Sequence, residues 1–246
     1  SKMSYWARTV VVPLLVLCAR KPVARNALGI KVDELFTGRP VRLESKAASN
    51  DRKWIWTAGF NSLDWVLKRV DGLWPKRLRA RAEKACVDFV LERLNGEDGL
   101  GAIYPAMANS VMMFDLLGYA EDHPARAIAR KSVENLLVIK EDEAYCQPCV
   151  SPVWDTALAA HAMMEAGSVD AEQRAARALD WLKPRQVLDV AGDWAEERPD
   201  VRPGGWAFQY NNDHYPDLDD TAVVVMAMDR ARGRIANGHD EAIDRG

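Results

Sequence analysis

Three segments of this chain open in the same way. Tyr104-Pro105 leads to Asn109-Ser110, Ser151-Pro152 leads to Asp155-Thr156, and Tyr215-Pro216 leads to Asp219-Asp220-Thr221. Pro followed closely by Asn or Asp and then Ser or Thr is the chemistry of a helix N-terminus, where side-chain oxygens cap free amides and carboxylates sit well on the positive end of the dipole. The small and apolar helices predicted after these signals, Val111 to Leu117, Ala157 to Glu165 and Ala222 to Met228, run out near Gly118, Gly167 and Gly233. Glycine takes the left-handed cap at no steric cost. After each glycine a more charged, amphipathic helix is predicted: Pro124 to Lys140, Ala171 to Gln186, and one beginning at Asp240. The alternation extends upstream, with Trp54 to Val70 followed by Lys76 to Leu94. Apolar helices alternating with amphipathic ones pack concentrically, the first kind inside and the second shielding it. The expected fold is therefore all-α, an α/α barrel or toroid, with little β structure because no stretch sustains a two-residue alternation.

Composition narrows the function classes. The 246 residues amount to about one and a half typical domains, and 48% hydrophobic content at a net charge of −3 allows a sizeable core. A balance of 33 basic against 36 acidic residues argues against a dedicated nucleic-acid binder. Four cysteines do not make a disulfide scaffold, so a cytosolic environment is the starting expectation. The apolar run Val10 to Ala19 contains Pro13 and is about half of what a bilayer-spanning helix requires. The opening Ser1-Lys2-Met3 lacks an initiator Met and a signal pattern, which points to a cut chain. Nine Trp against five Phe and six Tyr invert the usual core preference, so the indoles either staple loops or line a cavity that needs large π faces.

The third repeat is set apart by a long insertion, Val187 to Tyr215, and loops of that length inside a compact domain are usually functional. It carries Gly192-Asp193-Trp194 and Pro203-Gly-Gly-Trp206-Ala-Phe208-Gln209-Tyr210, and delivers the chain into Asp217-Leu218-Asp219-Asp220-Thr221-Ala222. A helix cap uses one carboxylate, sometimes two. Three crowded together repel each other and raise the proton affinity of at least one, which then stays protonated near neutrality and becomes a proton donor. A hard cation is the competing reading, with Asp213 and His214 nearby, but the acids do not recur one helical turn apart on one face, and Gly204-Gly205 makes no phosphate cradle. No metal is assigned. The segment Arg177-Ala-Leu-Asp-Trp181-Leu182, Gln186 and Trp194 reads as a structural box linking a helix to the next loop. Cys146-Gln-Pro-Cys149 lacks a second pair, the four histidines are scattered, and the basic run Lys76 to Arg81 reads as a solvated helix face.

Taken together, these motifs resemble the squalene-hopene cyclases, bacterial class II triterpene cyclases. The likeness is carried by Ser4-Tyr5-Trp6-Ala7-Arg8, Asp98 to Pro105, Ser151 to Thr156, the Gln/Trp box from Arg177 to Trp194, Pro203 to Gln209, and the Asp-x-Asp-Asp signature at Asp217 to Asp220. It implies parts of two α/α barrel domains, residues 1–149 from the non-protonating one and 150–246 from the catalytic one, with a reaction cavity between them. It also implies no metal or organic cofactor, attachment to one leaflet on the cytoplasmic side of the cell membrane, and a homodimer of the full-length parent. The implied reaction protonates the terminal alkene of squalene or a related polyprenyl hydrocarbon and closes rings through carbocations to pentacyclic hopanoids. By motif position Asp219 resembles the donor and Asp217 and Asp220 tune it, while Trp6, Trp154 and Phe208 resemble cavity walls. Since such parents are more than twice as long, the piece alone is expected to be inactive. Two alternatives stay open: a class II cyclase acting on another isoprenoid, and a non-catalytic helical-toroid binding module whose acids merely cap a helix.

Overall fold

The computed structural model describes residues 3–23, 26–31, 34, 54–96 and 98–246; the Ser1-Lys2 opening lies outside them. By its contacts the chain divides into two compact units, residues 22–85 and residues 1–21 with 86–246. The smaller contains α2 (Trp54–Val70), a 3-10 turn (Asp71–Leu73) and the first half of α3 (Lys76–Arg93). Helix α2 buries none of its residues, and Trp54, Ile55, Trp56, Phe60, Leu63 and Trp65 are exposed. Arg79 closes the turn onto Asp71, donating to its backbone and side-chain oxygens.

The larger unit holds α1 (Tyr5–Arg20), the end of α3, α4 (Tyr104–Leu116), α5 (Pro124–Glu134), a hairpin of β1 (Leu137–Ile139) and β2 (Ala144–Cys146), α6 (Pro152–Ala166), α7 (Val169–Leu182), α8 (Leu218–Ala231) and α9 (Asp240–Arg245). It is largely helical, as expected, and its helices pack in neighbouring pairs: α1 and α5 on α4, and α7 and α8 on α6. One core gathers Val153, Ala157, Ala160 and Met164 of α6, Leu179 and Leu182 of α7, and Val224, Ala227 and Met228 of α8 around Trp206. A second joins Val16, Val90, Leu100, Met113, Phe114 and Ala129. The alanines on α6 and α8 leave room for close backbone approach, so the large indole of Trp206 fills the space beside them. Its Nε1 donates to the Leu182 carbonyl at 2.8 Å, satisfying an acceptor left open at the end of α7. Trp206→Phe, which keeps most of the apolar volume but orphans that carbonyl, should cost about 1–2 kcal/mol in a denaturant or thermal melt.

The glycine stops hold: Gly167 is the left-handed cap of α6 at φ 66°, and Gly118 and Gly233 follow α4 and α8 at φ 76° and 67°. The helix starts do not fall where the capping reading put them. In α4 and α6 the helix begins at the Tyr-Pro or Pro itself, with Asn109, Ser110, Asp155 and Thr156 inside it. Proline suits the first turn, where its missing amide has no partner to lose. Only the third start, where Asp217 accepts from the Asp220 amide, is a side-chain cap. The amphipathic helix expected to reach Lys140 ends at Glu134, and the apolar run Leu136 to Ile139 beyond it enters a hairpin, with Val138 opposite Tyr145.

Candidate active site

The acidic segment is fixed from two sides. Asp217 donates its amide to the Trp206 carbonyl, and its own carbonyl accepts from the Thr221 hydroxyl at 2.6 Å. That hydroxyl in turn accepts from the Trp206 amide at 3.0 Å. Gly205 is required at this crossing, because a Cβ there would lie 2.5 Å from the Thr221 oxygen. The start of α8 and the Gly205-Trp206 segment are therefore tied together, and Phe208, two residues on, lines the same cavity as the acids.

These acids open onto a cavity of about 670 Å³ lined by Trp6, Ile103, Trp154, Phe208, Tyr215, Asp217, Leu218, Asp219 and Asp220. All six residues singled out in the sequence meet there, from elements as distant as α1 and α8. Trp6 stands edge-on to Phe208 at 5.5 Å and to Tyr215 at 5.9 Å, so the wall offers both ring faces and ring edges. Ile103 and Tyr215 were not among the sequence candidates. Both directly abut the recurring Tyr-Pro or Pro starts, Ile103 before Tyr104-Pro105 and Tyr215 before Pro216, and that adjacency was the available signal.

The three carboxyls are not equivalent. Asp219 is exposed toward the cavity, whereas Asp220 is buried and, among the described residues, its Oδ1 has no hydrogen-bond partner. Burial, a hydrogen bond with Asp217, and the charges of Asp217, Asp219 and Asp155 push the Asp220 carboxyl up to about 8. The carboxyl whose proton affinity is raised is thus Asp220, next in sequence to the acid facing the cavity. Burial also raises the Tyr215 phenol, assisted by the charges of Asp217 and Asp219. No histidine lines the cavity; His161 meets the Val223 carbonyl and His239 faces Asp180. Cys146 and Cys149 are free thiols. Among the described residues, no group of three His, Cys, Asp or Glu side chains is placed to hold a metal ion.

The site is thus an acid cluster on a helix start facing an aromatic hollow in a helical chain, and sequence comparison identifies the family. Residues 1–142 match the family model of the squalene-hopene cyclase N-terminal domain and residues 150–246 that of the C-terminal domain. The chain belongs to the squalene-hopene cyclase family. It is 64% identical to the squalene-hopene cyclase of Zymomonas mobilis over 94% of this chain and 35% of that protein. The corresponding figures are 58%, 100% and 37% for the enzyme of Bradyrhizobium diazoefficiens, and 37%, 92% and 35% for that of Alicyclobacillus acidocaldarius. The chain spans roughly a third of the length of these relatives.

Proposed function

We propose that the full-length protein carrying this sequence cyclises squalene, or a related polyprenyl hydrocarbon, to pentacyclic hopanoids by protonating its terminal alkene. The single observation that carries the reading is the pairing, in one cavity, of a proton-retaining carboxyl cluster with a wall of indole and phenyl rings. An alkene is a very poor base, so its proton donor must be strongly acidic and still loaded when substrate arrives. The cluster divides these demands. Asp220 retains a proton because it is buried among negative neighbours, Asp219 presents an acid to the cavity, and Asp217 spends one oxygen on capping α8. Protonation makes one C–H bond from the alkene electrons and leaves a tertiary cation, which each ring closure passes along the chain until a proton or water ends the sequence. Trp6, Trp154 and Phe208 exclude water and offer diffuse negative charge to these cations.

The wider architecture belongs to the same proposal: α/α barrel domains, with residues 1–149 contributing to the non-protonating one and 150–246 to the catalytic one. The pairing of α4, α6 and α8 with more polar neighbours supports it. No helix among the described residues is long and apolar enough to cross a membrane. The exposed Trp and Leu side chains of α2 support peripheral attachment to the cytoplasmic leaflet, from which a hydrocarbon substrate can be drawn. A homodimer of the full-length protein is carried over from the family likeness. The test is incubation of the full-length protein with squalene in detergent, with products resolved by mass-spectrometric chromatography. Pentacyclic hydrocarbon or its alcohol is expected; squalene recovered intact would leave the binding-module reading standing.

A further inference from the structure

The larger unit also holds a cluster of partly buried charges that is tied to the segments carrying the aromatic wall. Arg93, at the end of α3, grips Asp193 with a two-pronged contact, Nη2 to Oδ1 at 2.6 Å and Nε to Oδ2 at 3.3 Å. Arg8 of α1 approaches Asp193 Oδ2 at 3.4 Å. The Arg93 and Asp193 side chains are 8% and 12% exposed, and the Arg93 guanidinium also stacks 4.0 Å over the Phe89 ring. Glu92 flanks the far side of the same guanidinium. A partly desolvated, forked pair of this kind has a defined geometry, unlike a surface ion pair.

What Asp193 holds in place is informative. Its amide donates to the His214 carbonyl at 2.8 Å, and Gly192 lies so close that a Cβ there would come within 2.2 Å of that same oxygen. His214 is joined directly to Tyr215, a cavity wall residue two positions before Asp217. Arg8 lies on α1 just after Tyr5 and Trp6. Tyr5 stacks on Tyr215 with ring centroids 4.4 Å apart and donates its buried hydroxyl to Asn212 Oδ1 at 2.9 Å. One residue thus ties together, through its carboxylate, the helix that carries Trp6 and the end of α3, and, through its amide, the segment that delivers Tyr215 and the acids.

We propose that Asp193, gripped by Arg93 and Arg8, is a positioning residue that sets the spacing between the Trp6–Tyr215 wall and the acid segment, and so governs how far cyclisation proceeds rather than whether the alkene is protonated. This rests on the cyclase reading. Cation stabilisation by a ring depends on the ring's approach, and a 1 Å misplacement costs roughly a hundredfold in a positioned reaction. A smaller shift of the wall slows the next ring closure relative to loss of a proton from the current cation. Every such early exit returns one proton to water for the one taken up, so its products are isomers of the substrate with fewer rings.

The test is Asp193→Asn in the full-length protein, assayed with squalene below its melting temperature, with Asp193→Glu as the conservative rescue. Expected is an increase of about tenfold in the share of incompletely cyclised isomers, the sub-ångström counterpart of the hundredfold figure, with total consumption falling no more than about threefold. Asp193→Glu should restore much of the full-length product. An unchanged product mix beside a lowered melting temperature would overturn the proposal, leaving Asp193 a structural ion pair. Should Asp193→Asn fail to fold, the milder Arg8→Gln decides by the same product ratio, and no change there overturns it equally. Wild-type protein that yields no cyclised product would instead remove the cyclase reading.

Discussion

Asp219→Asn in the full-length protein is expected to abolish cyclisation, lowering kcat by about a thousandfold or more. General acids typically contribute 10²- to 10⁴-fold where water can substitute for them, and a cavity walled by Trp6, Trp154 and Phe208 leaves little water to do so. Asparagine preserves the side chain's shape but has no acidic proton, so KM for the hydrocarbon should change less than about threefold, the signature of an interaction made only in the transition state. Stability should hardly move, because Asp219 is exposed in the cavity and makes no cap. Asp217→Asn separates the roles. Asparagine still caps α8, so a loss of activity there reports on the charge of the cluster and not on the helix start. Activity undiminished in Asp219→Asn would remove the proton-donor role from this acid.

The second large effect concerns pH. Asp220 has an ordinary carboxyl pKa of 3.8 when unfolded and about 8 when folded, so between these values the folded protein binds a proton that the unfolded chain has released. Stability must therefore fall as pH rises from about 4 to about 8, and level off above, if this group is considered alone. Asp220→Asn removes the titration. Below pH 4 the variant and wild type should melt alike to within the difference between an amide and a neutral acid. At pH 9 the variant should be more stable, by something on the order of 2–3 kcal/mol once the shift is discounted for partial solvation. The same substitution should lower turnover, since the cluster loses its retained proton. Parallel pH–melting curves for the two proteins are the measurement. Curves that stay parallel across the whole range would mean that Asp220 titrates normally.

The site was legible in the sequence to the extent that its determinants are local. Asp217 to Asp220 stand together in the chain, and their mutual repulsion and the capping chemistry need only neighbours a few residues apart. The reading left cap and acid cluster as competitors; Asp217 caps α8, and the carboxyl pushed up by burial and its negative neighbours is Asp220. Which acid is buried was not legible, because burial is set by how α8 packs in the tertiary fold. Helix ends marked by glycine were readable, since φ is a property of one residue. Helix starts were misplaced at α4 and α6 because Asn109-Ser110 and Asp155-Thr156 carry capping chemistry that the preceding proline makes unnecessary. Asp193 was read only as part of a structural box: its partner Arg93 is 100 residues away, and no spacing rule reaches that far. Trp6, Trp154 and Phe208 could be proposed only by family likeness, and their convergence with Ile103 and Tyr215 is a property of the tertiary fold.

The most direct test of the retained proton is an infrared pH titration of wild-type protein against Asp220→Asn. Protonated and ionised carboxyls absorb at separate frequencies, and the difference between the two proteins isolates one group. A carboxylic-acid carbonyl band present in wild type at pH 7, absent in the variant and lost with a midpoint near 8 is the predicted result. A difference spectrum at pH 7 showing only carboxylate would contradict it.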